Sequence, residues 1–447
     1  MNIVILGAGS LGTYLAKTLA EEQHDVFVID KDAKALEKLL SLADVAIRVG
    51  SGSDWQLLEE LLAFSPHLFI AFSSDDETNL VACSLAKNLG YPKTVARLSS
   101  AGFLNCSRLD FGRLFFVDHF LAVELAIAHD IFKSVMSPGG MPVETLAHGA
   151  VQMRTVIVPS SWLHGGKRLA EIGLPRNLLV GLIRKKGQEE LLFPKGQDRI
   201  EVGDELTIIG ETKAMLTLLE IFGIVQRKIK SVVVAGASKV SLSLCRILEE
   251  YGISVKLIEQ DEEKCREMAK LLKNTAVLNQ EVSNWHALSS ERVHLADAFI
   301  ACSESCETNL LVSILAKELG CPEVIALVSD HSFAPFLKKW GIFYCVSEKI
   351  SVLKKIHSFL SFGPVASLSS LYDKRVQILE IKILSDSKVV GIPIVDLRKR
   401  FPEEFVIAFI ESRGRINIVR GDAILSPGDT VIILCSSKHA QSLEKLF

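Results

Sequence analysis

Ser74-Asp75-Asp76-Glu77-Thr78-Asn79-Leu80-Val81 returns further along the chain as Glu304-Ser305-Cys306-Glu307-Thr308-Asn309-Leu310-Leu311. Each copy follows a short apolar run, at residues 70–73 or 299–303. Each leads into a helical pattern that closes Leu-Ala-Lys-x-Leu-Gly, at residues 85–90 or 315–320. Pro92 or Pro322 comes next, then a second apolar run at 94–98 or 324–328. The same order over so many steps marks a duplication of roughly half the chain, and internal repeats govern every later reading of a fold.

The same shift aligns the starts of the halves. Ile3, Val4, Ile5, Leu6, Gly7 and Gly9 match Val232, Val233, Val234, Ala235, Gly236 and Ser238. It also aligns their ends, where Val202-Gly203-Asp204-Glu205-Leu206-Thr207 parallels Pro427-Gly428-Asp429-Thr430-Val431-Ile432. A Gly-Asp turn feeding an apolar run is a local signal for a turn and a strand. Each half therefore consists of an α/β part and a smaller strand-rich part. In the first α/β part we expect strands at 2–6, 26–30, 46–49, 68–72, 94–98 and near 114–117, with helices at 10–21, 33–42, 55–63 and 78–89. Leu11, Leu15 and Leu19 recur on one helical face. The strands are continuously apolar, as parallel strands covered on both faces are. This is a doubly wound sheet.

Gly7-Ala8-Gly9-Ser10-Leu11-Gly12 follows the first strand and opens the first helix. In that context Gly7 permits a tight turn, Gly9 lets backbone approach a pyrophosphate, and Gly12 lets helix and strand pack closely. The helix N-terminus offers free N–H groups and partial positive charge to phosphates. Asp30 ends the second strand, where an acid accepts hydrogen bonds from ribose hydroxyls. That acid disfavours a 2′-phosphate, hence NADP, and does not separate NAD from ATP or ADP. Ser73 and Ser74 end the fourth strand beside the ligand crevice, as contacts for ligand or as turn residues. Arg97, within the fifth strand, needs a partner, because a bare buried charge is costly. A phosphate is one candidate, and Asp75, Asp76 or Glu77 are others.

The second loop, Gly236-Ala237-Ser238-Lys239-Val240-Ser241, replaces two of the three glycines by serine. Each serine places a side chain where backbone should meet phosphate. Glu259 still ends the second strand of this copy and is positioned for ribose, but the loop reads as degenerate. The fold class is thus α/β, with two doubly wound parallel Rossmann-like domains, each followed by a small β-rich α+β domain. The expected boundaries are 1–137, 138–226, 227–363 and 364–447, with the β-rich strands around 156–210 and 378–434.

The 447 residues are 49% apolar and carry a formal charge of −3, so no basic surplus calls for nucleic acid. No apolar run approaches the ~18 residues of a spanning helix. The opening Met1-Asn2-Ile3-Val4 lacks the positive n-region of a signal peptide, so none is expected. Cys302 and Cys306 form the one close cysteine pair, without a second Cys/His pair at zinc-ligand spacing. No metal site is expected, and the cysteines read as reduced core residues.

The glycine loop, Asp30 and the Ser-Asp-Asp-Glu-Thr-Asn segment together resemble the RCK (or KTN) domain, and the Gly-Asp strand modules resemble its usual C-terminal companion. The tandem arrangement is similar to that of the regulatory subunits of Trk-type potassium uptake, over nearly the whole chain. The resemblance implies a non-enzymatic cytoplasmic protein, peripheral on the inner face of the cell membrane and partnered with a Trk-type potassium-translocating membrane subunit. It implies binding of NAD(H) and of ATP or ADP by Gly7, Ala8, Gly9, Ser10, Leu11, Asp30, Ser51, Ser73, Ser74 and Arg97. It also implies homo-oligomers that pair through the α/β domains, for which residues 115–135 form an apolar candidate surface. Two rival functions are an NAD-dependent dehydrogenase and a regulatory module of another cation transporter. The dehydrogenase lacks an evident acid or base, and a second Rossmann-like half stands in place of its substrate domain.

Overall fold

A computed structural model describes the chain apart from residues 100, 105–107, 138–142, 176, 189, 224–227, 343, 361–364, 372–374, 398–403, 413, 420–421 and 445. In chain order the first α/β module contains β1 (Asn2–Leu6), α1 (Ser10–Glu21), β2 (Asp25–Asp30), α2 (Ala33–Leu40), β3 (Ala46–Val49), α3 (Trp55–Leu61), β4 (Leu68–Ala71), α4 (Asp76–Leu89), β5 (Thr94–Leu98), α5 (Phe111–Leu114), β6 (His119–Ala122) and α6 (Val123–Val135). The first β-rich module has β7 (Val143–Leu146), β8 (Val151–Ile157), β9 (Leu178–Arg184), β10 (Leu191–Leu192), β11 (Glu205–Glu211) and α7 (Met215–Ile221). The second α/β module has β12 (Ser231–Ala235), α8 (Lys239–Glu250), β13 (Ser254–Glu259), α9 (Glu262–Leu271), β14 (Ala276–Asn279), α10 (Trp285–Ser290), β15 (Ala298–Ala301), α11 (Cys306–Glu318), β16 (Glu323–Val328), α12 (Ala334–Lys339), β17 (Tyr344–Ser347) and α13 (Glu348–Leu360). The chain closes with β18 (Val365–Leu371), β19 (Val376–Lys382), α14 (Ile394–Leu397), β20 (Phe405–Ser412), β21 (Arg415–Ile418), β22 (Thr430–Ser436) and α15 (Ala440–Glu444).

Both α/β sheets are parallel and six-stranded, in the orders β3-β2-β1-β4-β5-β6 and β14-β13-β12-β15-β16-β17. The order reverses between β1 and β4, and again between β12 and β15, which opens a crevice at the carboxyl ends of those strands. Both β-rich sheets are antiparallel with one shared topology, β7-β8-β11-β9-β10 and β18-β19-β22-β20-β21. The duplication read from the sequence is thus a duplication of structure. No helix among the described residues is long and apolar enough to cross a membrane.

One strand lies later than its sequence suggested. Residues 114–117 were expected to extend, but Asp110 accepts from Arg113 N at 3.1 Å and caps the single-turn α5. Phe116 then turns with a φ of 53°. Asp118 resets the chain, accepting from Thr94 N at 2.8 Å and Lys87 Nζ at 2.7 Å, so pairing with β5 begins at His119. An apolar run does not make a strand when a cap and a ladder partner just beyond it decide otherwise.

Like modules associate with like. The two α/β modules form one compact unit, residues Met1–Phe132 with Lys230–Phe359, and the two β-rich modules form another, Lys133–Ile229 with Leu360–Phe447. Within the first unit, residues of the 115–135 segment, expected as a surface between chains, contact the other half of the same chain. Phe132 packs on Tyr251 with ring centroids 4.5 Å apart, Ser351 Oγ donates to Asp130 Oδ2 at 2.6 Å, and His119 stacks on Phe359. His357 Nε2 meets Glu22 Oε2 at 2.9 Å on the same interface. Within the second unit, Met153, Leu182 and Ile209 share one apolar core with Ile378, Phe409 and Leu434. Ala147 N donates to Glu380 Oε1 at its edge.

Candidate functional site

The first glycine loop separates packing from ligand space. Gly7 has a φ of +113°, and a Cβ there would lie 2.8 Å from Phe72 O. A Cβ on Gly12 would lie 2.1 Å from Gly7 O. Both glycines are required by the protein itself. Gly9 is not: it is exposed, its φ is −65°, and a Cβ would meet nothing within 4 Å. No side chain caps α1 at Gly9. The first N–H groups of a helix need partners from outside it, and no side chain at Gly9 supplies one. Ser10 is exposed and Leu11 half-buried beside them.

Asp30 does more than end β2. Its Oδ2 accepts from Ala8 N at 2.5 Å and its Oδ1 from Asp32 N at 2.9 Å. The carboxylate therefore fixes the glycine loop and still has acceptor capacity for hydroxyl groups. Gly50 N donates to Asp30 O at 2.9 Å, which brings the next loop alongside; there Ser51 Oγ lies 2.8 Å from Ser53 Oγ. Ser73 sits against Gly7 through the Phe72–Ser73 backbone. Its Oγ donates to Asn79 Oδ1 at 2.8 Å, while Ser74 is exposed.

Arg97 does not pair with the acidic trio Asp75, Asp76 and Glu77. Asp75 caps α4 through Thr78, and Asp76 accepts from Ser99 N at 2.9 Å. Arg97 Nη2 instead lies 3.5 Å from Glu124 Oε1, its guanidinium sits 5.4 Å from the Phe72 ring centre, and its Nε is buried without a partner. Glu348, from the other half, belongs to the same neighbourhood. Burial raises its pKa, the Glu124 charge raises it further, and Arg97 opposes both. Glu124 and Glu348 went unnoticed in the sequence because each is a lone acid in the first turn of a helix.

The more instructive miss is Asn79. It is fully buried. Its Oδ1 accepts from Ser73 N, and its Nδ2 donates to Ser73 O and Arg97 O, each at 3.0 Å. One amide thus ties the ends of β4 and β5. Asn309 repeats this, with Ser303 N on its Oδ1 and its Nδ2 on Ser303 O and Leu327 O. The signal was the asparagine present in both copies of the opening motif.

The second loop differs in that the chain's own side chains cap its helix. Gly236, φ +97°, still has to be glycine, because a Cβ would lie 2.4 Å from Ser303 Cβ. Ala237 N donates to Glu259 Oε2 at 2.6 Å, the counterpart of Ala8 on Asp30. Ser238 and Ser241 then cap α8 reciprocally: Ser238 Oγ accepts from Ser241 N at 3.1 Å and Ser241 Oγ from Ser238 N at 2.7 Å. Ser238 Oγ also donates to Cys302 O at 2.8 Å. Both serines are buried. Beside them a cleft of about 120 Å³ opens at the loop itself, lined by Gly236, Ala237, Glu259, Lys264, Ser303 and Thr308 and bordered by the Lys264–Glu304 ion pair at 3.0 Å.

The TrkA-N domain family matches residues 3–108 and 232–348, and the TrkA-C domain family matches 153–223 and 378–447. The chain belongs to the TrkA family. Over its full length it is 29% identical to Trk system potassium uptake protein TrkA homolog 2 of Methanosarcina mazei, all of which is covered. Its fold is that of the GsuK channel bound to NAD, with a TM-score of 0.62 at 16% identity, covering 100% of this chain and 78% of that one. GsuK bound to ADP gives a TM-score of 0.51 at 12% identity, covering 80% of this chain and 69% of the other. The TrkA-N matches fall on the two α/β modules and the TrkA-C matches on the two β-rich ones.

Proposed function

We propose that this TrkA-family chain is a nucleotide-binding regulatory subunit, peripheral on the cytoplasmic face of a Trk-type potassium-translocating membrane subunit. Gly9 carries the reading. It is the one glycine of its loop that the protein's own packing does not require, and it lies under the uncapped N-terminus of α1. A pyrophosphate fits that space and that field. Asp30 would hold ribose hydroxyls, Ala8, Ser10 and Leu11 would present backbone N–H groups, and Ser51, Ser73 and Ser74 would border the ligand. The ligands proposed are NAD(H) and ATP or ADP, in keeping with the NAD and ADP bound to GsuK. The proposed modules are 1–137, 138–226, 227–363 and 364–447, and the functional form is a homo-oligomer.

The proposed action is a population shift rather than catalysis. Arg97 has a weak 3.5 Å partner in Glu124 and an unpaired buried Nε. A phosphate drawing on Arg97 would loosen its hold on Glu124 and alter the balance with Glu348, on the face between the α/β modules. A ligand shifts an equilibrium only by its difference in affinity for the two states. ATP and ADP would therefore differ in effect if one phosphate more reaches Arg97. Titration of the full chain with ATP, ADP, NADH and NADPH, by calorimetry and thermal midpoint, is the test. One site per chain, lost in Asp30→Ala, is the expected result. Two equivalent sites, or none, would sink it.

A further inference from the structure

Arg154 lies on β8 opposite Ile208 of β11. The second β-rich module places Leu379 opposite Ile433 in the same register. Ile208 and Ile433 each stand fourth after the aspartate of their Gly-Asp turns, Asp204 and Asp429, so Arg154 and Leu379 are equivalent positions. Leu379 is fully buried in an apolar core. Arg154 is only 8% exposed, so the first module puts a guanidinium where its duplicate puts a core leucine. Gln152 and Gln377 share the register two residues earlier, so the adjoining glutamine is common to both modules and the arginine is the change.

Among the described residues no side chain balances that charge. Arg154 Nη2 donates to Gln152 Oε1 at 3.2 Å, but Nε and Nη1 are buried with no partner. Burial lowers the pKa of the group, and no carboxylate among the described residues acts against it. Arginine stays protonated in proteins, and a buried charge calls for an opposite one with hydrogen bonds. Its sheet neighbours on the same face, Val156 and Ile208, are fully buried aliphatics and supply neither.

We infer that Arg154 anchors a binding site for a small anion with a carboxylate or phosphate group, present in the first β-rich module and absent from the second. A planar guanidinium bridges two oxygens of either group. This site is separate from the glycine loop and does not depend on the nucleotide reading.

The test uses the full-length chain, titrated with sodium phosphate and with sodium acetate against sodium chloride at constant ionic strength. Arg154→Leu installs the duplicate's residue, and Arg154→Met gives a second, unbranched replacement. Wild type should gain about 2–4 °C in thermal midpoint with one of the two anions, as a ligand specific to the folded state must produce. Both variants should lose that gain, and in chloride their midpoints should equal or exceed wild type. A response to phosphate only, or to acetate only, names the ligand class. A response that both variants keep would place the anion elsewhere, for instance at the glycine loop, and overturn the inference. So would the lack of any response in wild type, or a loss of self-association in Arg154→Leu without an anion response, which would assign the counter-charge to a second copy of the chain.

Discussion

The two glycine loops share a backbone but end in opposite chemistry. In each, a glycine with positive φ packs against the end of the fourth strand, and the following N–H is held by the acid closing the second strand, Asp30 or Glu259. The divergence begins two residues later. Gly9 leaves the start of α1 uncapped and open, whereas Ser238 and Ser241 satisfy the start of α8 from within and are buried. A helix start has a fixed set of N–H groups, so a side chain that satisfies them removes them from any ligand. One duplicated fold thus carries an uncapped helix start and a capped one, and the difference rests on two hydroxyl groups.

The sharpest way to break this comparison is Gly9→Asp. Because the space over Gly9 is empty, the variant should fold with an unchanged midpoint yet lose nucleotide affinity about 100-fold or more, near 3 kcal/mol at ~1.4 kcal/mol per tenfold. Retained binding in calorimetry would place the ligand elsewhere. Next come the two asparagine braces, which the comparison treats as equal. Asn79→Ala and Asn309→Ala should each cost about 2–3 kcal/mol in denaturant unfolding, because buried backbone groups lose their partners. Unequal costs would show that the halves differ in more than their loops. Ser238→Ala removes the cap of α8 and the bond to Cys302 O and should cost about 1–2 kcal/mol, with nucleotide stoichiometry unchanged. A second site appearing in that variant would mean the serine alone had kept it closed.

The smallest effect concerns the face between the halves. Burial and Glu124 raise the pKa of Glu348 above its ordinary value of 4.5. A carboxylate with a raised folded-state pKa favours the fold while protonated, and that contribution is lost as pH rises through the folded value. Glu348→Gln should therefore have the higher midpoint at pH 7–8, with the gap closing as pH falls below about 4.5. A gap independent of pH would show that charge at Glu348 is not the cause.

Much of this was legible because it is local. The strand-loop-helix at Gly7–Gly12, the acid at residue 30 and the Gly-Asp turns each declare themselves within a few residues. Asp30 ends the second strand as read, but its bond to Ala8 N, just past the neighbouring strand, had no sequence signal. Arg97 was recognised as a charge in need of a partner. Which acid answered it depended on α6 returning beside β5, so Glu124 was out of reach of the neighbouring sequence. The 115–135 segment was readable as apolar, but not that residues within it turn toward its own duplicate.

By itself the sequence determined the duplication, the alternation of strands and helices, the intact first loop and the serine-substituted second, since periodicity, turn chemistry and glycine placement act between near neighbours in the chain. The tertiary structure alone decided that like modules pair across hundreds of residues, that Asn79 and Asn309 brace the sheets, and that two guanidinium nitrogens of Arg154 are buried without a partner among the described residues. Those outcomes depend on which buried polar atom finds a partner once the sheets close, and that is settled by contacts between residues far apart in sequence.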